Sequence, residues 1–154
     1  MISSYLLKVI LPFAYQYVRQ QQALILEKGV ALNEDQQIDA YLIGVKDIAK
    51  VRLLCVDTIP RPAIPTFLKE VTGFVNSLPK RAIGSTYGYG IYIQTDHWNQ
   101  RRLVAHELTH TMQFERMGLQ PFMKAYLTEC MTFGYPHGPL EQEARRVARE
   151  ICAD

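Results

Sequence analysis

The segment His106-Glu107-Leu108-Thr109-His110 constrains this chain more than any other. Leu103, Val104, Leu108, Met112 and Phe114 surround it with apolar residues on both sides of a helix, so the segment is expected to be buried. A buried helix carrying two imidazoles and a carboxylate must give them partners, because an unpartnered buried polar group costs several kcal/mol. On a helix His106 and His110 are one turn apart and face the same way. Two imidazoles so placed can reach one Zn²⁺ at ~2.0–2.1 Å from each nitrogen. Glu107 lies about 100° further round, where it can reach a water held by the metal as a general base.

Around this helix the chain reads as α+β: mostly helical, with a small sheet beside the His106–His110 helix. A first helix is expected from about Ser4 to Lys28, with Pro12 inside it and Gly29 as its stop. Asn33 and Gln36 form a capping box, followed by Ile38, Tyr41, Leu42, Val45 and Ile48 at helical spacing. Val51 to Ile59 reads as a strand, Pro65 to about Ser77 as a helix, and Gly90 to Thr95 as a short strand. Asn99 is expected to cap the metal-ligand helix, which stops at Gly118. Phe122 to Thr132 and Leu140 to Cys152 supply two further helices. The 154 residues make a single domain, with N-terminal helices over about 1–49 and the catalytic part over about 84–154.

Composition narrows the function classes. Seventeen basic residues against fifteen acidic ones leave +2, without the basic stripe that nucleic acid demands. Three cysteines do not make a disulfide framework and suit a reducing, cytoplasmic setting. The apolar run Tyr5–Val18 is short of the ~20 residues a membrane span needs, carries Lys8 and Gln16, and lacks the marks of a signal peptide. A membrane partner is therefore not expected, although anchoring by the first helix stays open; oligomeric state is not legible.

A catalytic zinc site needs a third protein ligand and an open fourth position. A third histidine in the metzincin pattern would require Gly at 113 and His at 116, where this chain has Gln113 and Arg116. Cys55 sits in an apolar strand and reads as a core thiol; Cys130 is a reserve. The remaining candidates are carboxylates of the last helix, Glu141 and Glu143. They flank its apolar stripe of Leu140, Ala144, Val147, Ala148 and Ile151 on opposite sides. Ala148 and Cys152 extend the buried arc on the Glu141 side, and Arg146 and Glu150 make the other side more solvated. Glu141 is the favoured ligand.

With its HExxH helix and its Glu141 and Ala144 near the start of a later helix, the chain resembles the gluzincin clan of zinc metallopeptidases over roughly Gly84 to Ile151. The resemblance is closest to small bacterial zincin-like domains with a Pro-x-Glu-x-Glu-Ala signature. It implies one zinc per chain held by His106, His110 and Glu141, Glu107 as the catalytic base, and a peptide or protein substrate. Many members carry Asp or Asn where this chain has Arg145.

Other readings stay beside this one. Tyr135 or His137 could donate to an oxyanion, or could belong to a turn built around Pro136, Gly138 and Pro139. Gly90–Ile93 is either a structural strand or the edge that pairs with an extended substrate. His97 reads as a loop residue, Arg101 and Arg102 as a solvated first turn, and Arg145, Arg146 and Arg149 as a solvated face that could meet acidic partners. The alternative to an enzyme is a non-hydrolytic zinc-binding domain that recognises a peptide or a partner protein.

Overall fold

A computed structural model describes residues 4–63 and 81–153. Its α+β architecture is a small four-stranded sheet set among helices. Helix α1 (Ser4–Lys28) leads into β1 (Val30–Ala31), α2 (Glu34–Ile43) and β2 (Arg52–Val56). After the undescribed segment come β3 (Gly84–Tyr87), β4 (Gly90–Gln94), α3 (Arg101–Met117), α4 (Leu119–Phe133) and α5 (Pro139–Ile151). The expected helix from Pro65 to Ser77 lies outside the described residues. No helix among the described residues is long and apolar enough to cross a membrane.

The strand order is β1-β2-β4-β3, with β2 and β4 parallel and both outer pairings antiparallel. The pleat sends alternate residues to opposite faces. Leu53, Ile91 and Ile93 meet Val104, Ala105 and Leu108 of α3, Ala40 and Ile43 of α2, and Ala148 of α5. On the other face, Tyr92 and Leu54 pack against Ile25 and Val18 of α1. The N-terminal half of α1 runs on to α4, where Ile10 and Leu11 meet Leu127.

Helices α3 and α5 are antiparallel neighbours: Arg101 at the start of α3 donates to the Ile151 carbonyl at 3.2 Å, and Gln113 near its end donates to the Leu140 carbonyl at 2.9 Å. This places the first turn of α5 against the middle and later turns of α3. The capping box at Asn33 and Gln36 forms as expected, with both hydrogen bonds at 2.9 Å.

Several expectations are corrected. On α2 the face of Ile38, Tyr41 and Leu42 points to solvent, and Asp39, Ala40 and Ile43 are buried instead. The cause is a bidentate ion pair: Asp39 accepts from Arg101 at 2.9 Å through both oxygens, and Ala40 beside it lets the helices approach closely. Arg101 is exposed, as expected of a solvated first turn, and it is also a structural anchor through this ion pair. Asn99 does not cap α3; Gln100 occupies that position without a side-chain cap. Cys55 is exposed, not a core thiol. It shares the face of Leu53 at a point the helical layer leaves uncovered, and its Sγ donates to Thr95 Oγ1 at 3.6 Å. Gly90–Ile93 is not an edge: β4 is paired on both sides, and β3, which was not expected, forms the edge of the described sheet beside α3. Gly118 has φ +86°, a conformation that favours glycine, and it alone separates α3 from α4.

Candidate metal centre

Helix α3 presents His106 and His110 on one face, and the antiparallel packing brings the first turn of α5 opposite them. Glu141 completes the group. Its Oε2 lies 3.1 Å from His106 Nε2 and its Oε1 3.2 Å from His110 Nε2, while the two imidazole nitrogens are 3.2 Å apart. His106, His110 and Glu141 form a group that could hold a metal ion. His110 and Glu141 are buried, and the His106 side chain is 16% exposed toward a cleft.

The protonation of this centre follows from its neighbours. Gln113 sits one turn beyond His110 and is fully buried. Its Nε2 faces two acceptors, the Leu140 carbonyl at 2.9 Å and Glu143 Oε1 at 2.8 Å. The amide nitrogen is therefore committed, and Oε1 must accept from His110 Nδ1–H, at 2.8 Å. With the proton on Nδ1, neutral His110 turns the lone pair of Nε2 toward His106 and Glu141. Glu141 Oε2 is buried and, although 3.1 Å from His106 Nε2, receives no well-formed hydrogen bond among the described residues. Lone pairs converging on a buried point call for a cation, so the donor set fits a metal ion.

Without a cation, a shared proton serves instead. Burial pushes His110 down, but hydrogen bonding to Glu141 and the charges of Glu141 and Glu107 outweigh it and raise its pKa from 6.5 to about 9. Burial likewise pushes Glu141 up, and the two imidazoles overcome it, holding the carboxyl well below the usual range. Tyr126 of α4 donates to Glu141 Oε1 at 2.7 Å and stacks edge-on against His110, with ring centroids 5.8 Å apart.

Glu143 is not a member of the group. Its carboxylate accepts from Arg116 at 2.9 and 3.2 Å and from Gln113, and the Arg116 guanidinium lowers its pKa. It thus anchors the amide that orients His110. Cys130 is buried on α4 outside the group, and burial pushes its thiol up to about 11.

Glu107 is buried beside the centre without belonging to it. Its Oε2 accepts from Thr86 Oγ1 at 2.5 Å. A Cβ at Gly84 would stand 2.8 Å from Glu107 Oε1, so glycine here lets edge strand β3 come against the carboxylate. Both contacts place Glu107 through a strand the sequence reading missed.

A cleft of about 1460 Å³ opens over these groups, lined among others by Glu107, Thr86, Phe122, Tyr126 and Tyr135. Burial, then the charges of Glu141 and Glu107, push the Tyr135 hydroxyl up to about 12, against the opposing pull of Arg145. It therefore remains a donor at neutral pH. His137 is not part of the lining, whereas His97 is. Gln113, Tyr126 and Thr86 are the site residues that sequence reasoning missed. Gln113 carried one usable signal, a polar residue one turn beyond His110 on a buried helix; Tyr126 and Thr86 carried none.

Comparison with protein-family models, with curated proteins and with solved structures finds no match to this chain.

Proposed function

We propose that the chain is a zinc-dependent metallopeptidase of gluzincin-like design. The carrying observation is the pairing of two distinct carboxylates: Glu141, whose buried Oε2 converges with two imidazoles, and Glu107, buried next to them and held by Thr86. His106, His110 and Glu141 would hold the zinc, leaving a position free on the cleft side. When bound, zinc supplies a water of lowered pKa and polarises the carbonyl under attack.

The other tasks fall to the chain's own residues. Glu107 accepts the proton of the attacking water and returns it to the departing amine. Thr86 keeps the Glu107 carboxylate turned toward the cleft. Tyr135 donates to the oxyanion as the carbonyl becomes tetrahedral. The edge of β3, unpaired among the described residues and along the wall of the cleft, offers backbone hydrogen bonds to an extended peptide.

Metal analysis of protein purified without chelator tests the first step: about one zinc per chain supports the reading, and none, with no uptake on adding zinc, contradicts it. A peptide-library assay then separates the enzyme from a zinc-dependent binding domain. Cleavage that a chelator abolishes supports the enzyme; no cleavage by zinc-loaded protein supports the binding domain.

A further inference from the structure

The metal-ligand helices carry a second, charged pattern. Arg102 precedes His106 by one turn on α3, and Arg145 and Arg149 follow Glu141 by one and two turns on α5. Each therefore projects from the same helix face as the adjacent ligand. Because α3 and α5 are antiparallel, one turn before His106 and one or two turns after Glu141 lie toward the same end of the site. All three arginines line the cleft and are exposed. Arg145 is hydrogen-bonded to Tyr135, while Arg102 and Arg149 have no carboxylate partner among the described residues. On the same two helices, Arg101 is spent on Asp39 and Arg146 on Glu150 at 3.2 Å, and Arg61 and Arg81 add basic groups to the cleft lining outside those helices. Four carboxylates also line the cleft: Glu141 and Glu107 belong to the candidate metal centre and its neighbour, while Asp57 accepts from Thr95 at 2.9 Å and Asp96 from Gln94 at 3.3 Å, so none of them is paired with Arg102, Arg145 or Arg149. Against a net charge of only +2 for the whole chain, three exposed guanidinium groups without a carboxylate partner among the described residues are, on these two helix faces, a local concentration of positive charge.

We infer that Arg102, Arg145 and Arg149 form a carboxylate-recognition flank, so that the peptide bound here carries acidic groups on one side of the metal centre. Guanidinium forks suit carboxylates geometrically, and a flank one to two turns long (~5–11 Å) reaches side chains one to three residues from the peptide bond at the centre. The carboxylate can come from Asp or Glu side chains or from a free C-terminus. The inference takes its peptide ligand from the metallopeptidase reading, but it concerns binding and requires no cleavage.

The test uses the full chain, zinc-loaded and carrying Glu107→Gln, so that a bound peptide is not cut. The probes are Ala/Leu octapeptides with a neutral fluorophore, bearing either two Glu or two Gln, each as a free acid or a C-terminal amide. Fluorescence anisotropy at low ionic strength should show binding at least about tenfold tighter for the carboxylate-bearing member of one of these comparisons, the scale of one charge-assisted hydrogen bond. A preference for Glu over Gln assigns the flank to side chains, and a preference for acid over amide assigns it to the chain end. The difference should shrink in ~0.5 M salt. Adding Arg102→Gln and Arg149→Gln should remove it while zinc content and melting temperature stay unchanged. No peptide binding, equal affinity across all four peptides, a preference that survives both arginine substitutions, or tighter binding of oligothymidylate than of any peptide would overturn the inference. Hydrolysis by the parent enters none of these measurements, so failure of the peptidase reading would show separately.

Discussion

Gln113 Oε1 lies 2.8 Å from His110 Nδ1, and Gln113 Nε2 is held in turn by Leu140 and Glu143. A histidine of the candidate metal centre is thus oriented by an amide whose own orientation is fixed by α5. Gln113→Leu keeps approximate volume and removes both halves of this link. It should weaken zinc affinity by about 10–100-fold, the usual scale for losing the partner of a ligand histidine. A competition titration against a chromogenic chelator measures this; unchanged affinity would remove Gln113 from the metal centre's support.

The two glutamates of α5 should separate cleanly in the same titration. Glu141→Gln removes the anionic ligand and should cause the larger loss. Glu143→Gln leaves all three ligands in place and disturbs only the salt bridge to Arg116 and the hold on Gln113, so its loss should stay below about tenfold. The reverse ranking would make Glu143 the ligand.

The metal-free protein should carry a distinct pH signature. His110 has a folded pKa of about 9, above its ordinary 6.5, so the stability it contributes is complete below pH 6.5 and disappears as pH rises through 9. Glu141 is depressed, so its contribution is present above its ordinary 4.5 and is lost as pH falls through the lower folded value. In chelator, the melting temperature should therefore decline between pH 7 and 9. Zinc needs the imidazoles unprotonated, so its protective effect should grow over that interval. Melting curves with and without chelator at several pH values test this; a chelator effect that shrinks with rising pH would contradict the assignment.

Much of the fold was legible because it rests on local chemistry. The span of α1, the Asn33–Gln36 capping box and the core of β2 follow from side-chain type and period. What failed depended on partners distant in sequence. The buried face of α2 was hidden because an ion pair spanning Asp39 and Arg101 overrode its apolar pattern. β3 was hidden because it is only four residues long and opens on Gly84 and Ser85, so Thr86 and Tyr87 alone favour a strand, which exists through its pairing with β4. The grouping of His106 and His110 could be read from helical spacing, and that of Glu141 with them from the asymmetry of the stripe on α5. Tyr126 and Thr86 reach the site through contacts 15 and 21 residues away in sequence, which no local pattern encodes.

The central claim is that Glu107 transfers protons and does not coordinate the metal. Glu107→Gln preserves size and can still accept from Thr86, but it removes the basic carboxylate. The decisive measurement is the hydrolysis rate of one cleaved peptide by zinc-loaded parent and by zinc-loaded Glu107→Gln, at matched metal content. The account predicts near-stoichiometric zinc in both proteins and a rate at least ~10²-fold lower in the variant. Cleavage by the variant at the parental rate would contradict it.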